Sequence, residues 1–270
     1  MLSDKPNCVV TGAGSGLGRA FAEKLAERGA SLLLSDVNER GLEETADLAR
    51  RQGAGAVFTM KCDVASKDQV AALHAESQAR LGDTDLLVNN AGVAVSGPVG
   101  TIPLEDWEWI VGVNLWGVVY GCHYFLPAMK ARRRGHVLNV ASIAAYASAG
   151  QMAPYNVTKA AVVSLSESLA GELVDTGVGV TVLCPFFFTT NIGRSGRASG
   201  DVNADFVEKL MAKTPVQADS VAARALAACE RDELYCFPHR EAQVLALLKR
   251  SIPETFVKKL GPRAAARGKK

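Results

Sequence analysis

The stretch Thr11-Gly-Ala-Gly-Ser-Gly-Leu-Gly18 decides the fold. Before it runs the β-branched Asn7-Cys8-Val9-Val10; after it comes Arg19-Ala-Phe-Ala-Glu-Lys-Leu-Ala-Glu-Arg28, whose pattern is helical. Glycines between a strand and a helix let the backbone turn sharply and approach a pyrophosphate without a Cβ clash. The helix that follows aims its amide groups and the positive end of its dipole at that anion. No Gly-Lys-Ser/Thr follows, which excludes a triphosphate-binding loop.

Working outward, the next strand, Ser31-Leu-Leu-Leu-Ser35, ends at Asp36. An acidic residue about 20 positions beyond such a turn accepts from ribose hydroxyls and repels a 2′-phosphate. Ser15 and Val37 stand where a basic partner for that phosphate would be, and Arg19 and Arg40 are expected to be solvated. The expected cofactor is therefore NAD rather than NADP.

Strand patterns at 7–11, 31–35, 56–60, 85–89, 136–141 and 179–184 alternate with helical ones at 17–28, 39–52, 67–81, 104–130 and 153–175. Such alternation predicts an α/β, doubly wound Rossmann-type parallel sheet with helices on both faces and a ligand at the strand carboxyl ends. The polar segment 189–203 reads as a mobile loop, helices follow at about 204–213 and 219–230, and a last strand at 234–237. With 270 residues, 48% hydrophobic and 21% charged, the chain is read as one domain over 1–270 and not as a disordered protein. Its 30 Lys/Arg against 28 Asp/Glu give no electrostatic case for nucleic acid. Six scattered cysteines without a C-x-x-C pair predict no metal site and a reducing compartment, with no secretory leader expected.

The sequence resembles the short-chain dehydrogenase/reductase family in its compact form, over about residues 7–190. The Thr11–Gly18 turn, Cys62-Asp63-Val64, Asn89-Asn90-Ala91-Gly92, Ser142 after the fifth strand and Tyr155-Asn-Val-Thr-Lys159 match five family motifs in order. The resemblance implies an NAD-dependent oxidoreductase interconverting a secondary alcohol and a ketone. It implies that Tyr155 is the acid/base, that Lys159 lowers its pKa and binds the nicotinamide ribose, that Ser142 holds the substrate oxygen, and that Asn114 anchors a proton-relay water. For the cofactor it implies Gly12, Ser15, Gly16, Leu17, Gly18, Asp36, Asp63, Val64, Asn90, Ala91, Gly92, Tyr155, Lys159, Pro185, Phe188 and Thr190. Where the family has Pro-Gly, this chain has Pro185-Phe186, a departure that puts a bulky ring near the nicotinamide end.

The segments expected at the strand ends are apolar and aromatic, with Val93, Val95, Tyr146, Met152 and Phe186 assigned to the substrate pocket. They predict a small, uncharged, lipophilic substrate, though Arg194 and Arg197 in the loop offer a clamp for an anionic end. Helix 104–130 and Ala160, Ala161, Val162, Leu165 and Leu169 offer apolar surface for the two-fold helix packing of the family's homodimers and homotetramers. Trp109–Met129 lacks Lys, Arg, Asp and Glu and imitates a membrane span. Asn114, His123, Pro127 and three glycines weaken that reading, so a buried helix is expected, in a cytoplasmic protein without membrane contact. The basic tail 263–270 reads as a solvated end. The alternatives are a regulator that senses NADH without turnover and a membrane-associated reductase.

Overall fold

A computed structural model of the chain describes residues 4–186, 188, 196–199 and 216–259. The elements are β1 (Asn7–Thr11), α1 (Gly16–Ala26), β2 (Ser31–Asp36), α2 (Glu39–Arg51), β3 (Val57–Lys61), α3 (Lys67–Leu81), β4 (Leu86–Asn89) and β5 (Val95–Ser96). Next come α4 (Leu104–Val111), a π-helical turn (Gly112–Trp116), α5 (Gly117–Ala131), β6 (Gly135–Val140), α6 (Ala144–Ala147) and α7 (Ala153–Glu172). The remainder is β7 (Val178–Leu183), β8 (Arg197–Ala198), α8 (Ala218–Glu230), β9 (Tyr235–Cys236), α9 (Arg240–Ser251) and α10 (Pro253–Lys259).

Seven strands form one parallel sheet in the order β3-β2-β1-β4-β6-β7-β9. The order reverses between β1 and β4, and that switch point opens the crevice where open α/β sheets bind ligands. Alternation along each strand divides the apolar residues between two faces. Cys8, Val10, Leu32, Leu34, Leu86 and Val88 pack under α1, α2 and α8. Val9, Leu33, Leu87, Val137 and Val182 pack under α3, α5 and α7. Each fully buried leucine or valine contributes about 1.5–3 kcal/mol, so both helix layers are held by the period-two pattern of the sheet.

The expected strands lie within one residue of their observed bounds. The 104–130 helix is interrupted at Gly112–Trp116, where Asn114 turns inward. The helix beginning at Ala153 stops at Glu172, short of the expected 175, before Asp175 and Gly177 adopt positive φ of 60° and 76°. Leu104–Ala131 is long and apolar enough to cross a membrane by length and composition; here it lies on the sheet through Val118, Cys122, Phe125, Leu126 and Met129. Within the expected loop 189–203, Arg197–Ala198 instead pair with Val95–Ser96. Thr190, Arg194, the expected helix at 204–213 and the tail 263–270 lie outside the described residues.

Candidate active site

The glycine turn is shaped by contacts within the chain. A Cβ at Gly18 would stand 2.0 Å from the Gly12 carbonyl oxygen, and one at Gly12 would stand 2.7 Å from Ala91 Cα. Gly14 donates its N–H to Asp36 Oδ2 at 2.8 Å, while Asn38 N–H donates to Oδ1 at 2.9 Å. Asp36 is thereby fixed at the tip of β2, facing the turn. Asn90 and Ala91 donate their N–H groups to Thr11 Oγ1 at 3.0 and 3.1 Å, and the Asn90 amide donates to the Thr11 and Gly12 carbonyls. This lattice ties β1 to β4 across the switch point.

Arg19 differs from its expectation as a solvated residue. Its guanidinium donates to the Gly14 carbonyl at 2.9 Å and to Thr45 Oγ1 at 3.0 Å, and pairs with Glu44. It braces the turn from α1. Arg40 is exposed as expected. Leu17 packs its side chain into the core, so only its main chain is available to a ligand. Ser15 stands at the N-cap of α1 without a side-chain cap, whereas Asn38 and Ser66 cap α2 and α3 with their side chains. Uncapped amides at a glycine-rich helix start suit an anion. Glycines that admit a close approach, these amides and the Asp36 carboxylate together fit the diphosphate and ribose of a nicotinamide dinucleotide. Asp63 accepts from Ala65 N–H at 3.0 Å and so holds its own turn, while Val64 is buried against Gly117.

At the other half of the crevice, Ser142 follows β6, and Tyr155 and Lys159 share a face of α7. Burial pushes the phenol pKa of Tyr155 up, and the nearby Ser142 side chain offsets part of that push. Lys159 is buried, and its Nζ donates to the Val140 carbonyl at 2.8 Å and stands 5.8 Å from the Tyr155 ring centroid. Burial holds the ammonium down at about 8. The expected lowering of Tyr155 by Lys159 is therefore not what dominates here: desolvation acts on both groups and favours their neutral forms. Gly92 lies between Asn114 and Lys159, where a Cβ would be 3.4 Å from both Asn114 Oδ1 and Lys159 Nζ.

Asn114 is fully buried in the π-helical turn. Its Oδ1 accepts from Val93 N–H at 2.8 Å, and its Nδ2 donates to the Val93 carbonyl at 2.9 Å and to Thr158 Oγ1 at 3.2 Å. It thus clamps the chain after β4 to the start of α7.

The substrate-side expectations need two corrections. Val95 is fully buried with Ile102 and Ile110, and the Tyr155 ring packs against that cluster; Val95 props the tyrosine instead of lining an open pocket. Arg197 forms an ion pair with Asp106 at 2.7 Å and lies 4.0 Å above the Trp109 ring, so it is engaged and does not reach for an anionic ligand. Val93, Tyr146, Met152 and Phe186 are half-buried. Pro185 and Phe188 are buried, the latter in the core beneath α8.

His239 was not distinguished from the other histidines by sequence. It is buried, its Nδ1 accepts from Phe186 N–H at 3.1 Å, and its Nε2 lies 3.1 Å from the Val216 carbonyl. The ring stacks on Phe188, and burial lowers its pKa, in keeping with a neutral imidazole. A cavity of about 590 Å³ opens at the opposite end of β6 and β7 among Arg134, His136, Asp175 and Asp232, away from this site.

A model of the short chain dehydrogenase family matches residues 6–200. The chain is 35% identical over 217 residues to an uncharacterized oxidoreductase of Staphylococcus saprophyticus, covering 80% of this chain and 90% of that protein. It is 39% identical over 185 residues to the probable oxidoreductase EphD of Mycobacterium tuberculosis, 68% of this chain but only 31% of that longer protein. A Burkholderia phymatum short-chain dehydrogenase/reductase in complex with NAD superimposes with a TM-score of 0.88 at 34% identity, covering 94% of this chain and 96% of that one. A Sphingobium yanoikuyae short-chain dehydrogenase in complex with NADPH gives 0.77 at 26%, covering 94% and 96%. The fold, the crevice and these matches point to one family. The chain belongs to the short-chain dehydrogenase/reductase family.

Proposed function

We propose that the protein is an NAD(H)-dependent dehydrogenase/reductase that interconverts an uncharged, lipophilic secondary alcohol and its ketone. The observation that carries this reading is the convergence of Ser142, Tyr155 and Lys159 at one strand end, across the crevice from Asp36. A bound nicotinamide would supply or accept the hydride. Tyr155, with its pKa held up by burial, carries a proton at neutral pH and so can donate it to a substrate oxygen gaining negative charge. Ser142 donates a hydrogen bond to the same oxygen. Lys159 returns positive charge to the site when protonated and holds the ribose side. The side chain of Asn114 is engaged by Val93 and Thr158, so a water relay from this residue would draw on its main-chain carbonyl.

Asp36 supports NAD over NADP, because a carboxylate at the tip of β2 accepts from ribose hydroxyls and repels a 2′-phosphate; the NAD-bound Burkholderia relative is consistent with this. Val93, Tyr146, Met152 and Phe186 support a lipophilic substrate. Assembly into a dimer or tetramer is supported by the outer face of the π-helical turn, α5 and α7, where Trp116 is exposed and stacked on Tyr120, and Val157 is exposed. Val162 and Leu169, expected there, are buried in the chain's own core.

The test is NADH absorbance with NAD and a panel of steroids, terpenoid and long-chain secondary alcohols, sugars and short hydroxy acids. Lipophilic alcohols are expected to give the highest kcat/KM, and Tyr155→Phe to lower turnover by about 10²–10⁴ while leaving NADH binding intact. A preference for sugars or charged hydroxy acids, or an active Tyr155→Phe enzyme, would overturn the proposal.

A further inference from the structure

The two helices at the carboxyl end carry an amphipathic pattern turned inside out. In α9 the buried residues are small, Ala242 and Ala246, with Leu245 half-buried. The large aliphatic residues Val244, Leu247 and Leu248 lie on the opposite face with 49%, 59% and 38% of their surface exposed, and Ile252 continues the row at 45%. Helices of water-soluble domains place large apolar residues inward, so this outward stripe calls for a covering partner. The arrangement is anchored: Phe256 of α10 is buried, and Lys249 Nζ lies 5.8 Å from its ring.

Charge identifies the partner. Residues 240–270 contain nine Lys/Arg and two Asp/Glu, whereas residues 1–239 contain 21 and 26. The positive excess of the sequence thus lies wholly in its last 31 residues, and α9 itself carries Arg240, Lys249 and Arg250 against Glu241. A second copy placed on this face would bring the same cations against each other, and a neutral apolar partner would leave them unpaired. Aliphatic side chains flanked by Lys and Arg match the boundary of an anionic bilayer, where the stripe enters the acyl edge and the cations meet the headgroups. Position adds to this. Helix α9 packs against α6, the turn that follows Ser142, so the stripe stands beside the strand end that bears Ser142 and Tyr155.

We propose that α9 and α10 form a peripheral docking element for anionic lipid surfaces, holding the mouth of the crevice against the membrane without spanning it. The test is co-sedimentation of the purified full chain with vesicles of phosphatidylcholine alone or two parts phosphatidylcholine to one part phosphatidylserine. Its readout is independent of turnover. The chain is expected to sediment with the anionic vesicles and stay in solution with the neutral ones. Val244→Glu/Leu247→Glu and Arg240→Glu/Arg250→Glu should each reduce the bound fraction by about tenfold or more, with unchanged circular dichroism. No sedimentation of the unaltered chain with anionic vesicles overturns the proposal. So does equal binding by Val244→Glu/Leu247→Glu, which would leave only diffuse charge attraction. Absence of vesicle binding together with a Val244→Glu/Leu247→Glu variant that dissociates in light scattering would instead assign the stripe to a subunit interface.

Discussion

Lys159 directs its ammonium to the Val140 carbonyl oxygen at 2.8 Å, at the end of β6 and two residues before Ser142. A buried cation that meets a neutral carbonyl is poorly compensated, which is why its pKa is held down at about 8. The folded chain binds this proton more weakly than the unfolded one, so below about pH 8 the charge works against folding, and the deficit is relieved as pH rises from about 8 towards the ordinary lysine value. Lys159→Met is therefore expected to raise the thermal midpoint at neutral pH, by an amount equivalent to about 1–3 kcal/mol, while lowering turnover by about 10²-fold. Paired calorimetry and kinetics check it; a variant that is both less stable and fully active contradicts the assignment.

Asp36 holds the turn through both carboxylate oxygens, and in the proposed function the same oxygens would meet the cofactor's ribose. Asp36→Asn retains an acceptor but removes the charge, so the fold should persist while discrimination against NADP falls by about tenfold or more. Fluorescence titration with NADH and NADPH measures the ratio. An unmodified chain that binds both equally would refute the expected preference.

His136 is buried beside Thr181, its Nε2 2.8 Å from Thr181 Oγ1, and burial pushes its pKa down to about 4. The unfolded chain takes up this proton near pH 6.5 and the folded chain only near 4. Stability is thus complete above about 6.5 and is lost as pH falls towards 4, by up to about 3 kcal/mol for this group. Urea midpoints across that window should fall less steeply in His136→Gln than in the unaltered chain.

Trp116 and Val157 test assembly. If α5 and α7 pack against a second copy, Trp116→Glu/Val157→Glu should shift light-scattering mass from a dimer or tetramer to the 28.5 kDa monomer. A chain that is already monomeric at micromolar concentration would rule out this interface.

Much of the site was legible because its signals are local. Tyr155 and Lys159 lie one helical turn apart, and the glycine turn, Asp36 and Ser142 each follow a strand whose pattern is plain. What escaped depends on partners distant in sequence. His239 bonds Phe186, 53 positions away, and no spacing announces it. Arg19 reads as a solvent-facing helix residue until α2 brings Thr45 and Glu44 beside it. Val95 could face either way until pairing with Arg197 fixed its strand, and the buried chain Asn89–Asn139–Ser166 joins β4, β6 and α7 through side chains whose types suit many roles. The helix α9 was not among the expected elements, since the large aliphatic residues that would mark its inner face lie on its outer one.

The 2.0 Å approach between a Cβ at Gly18 and the Gly12 carbonyl has a bearing on how relatives of this chain should be sorted. A descendant that had abandoned its coenzyme altogether could not discard these glycines, because the first strand and helix would no longer close on each other. Persistence of the motif is then a record of architecture, silent on whether an enzyme still turns over. Inactive lineages should betray themselves elsewhere, by drift at Asp36 and Tyr155 while Gly12 and Gly18 stand unchanged.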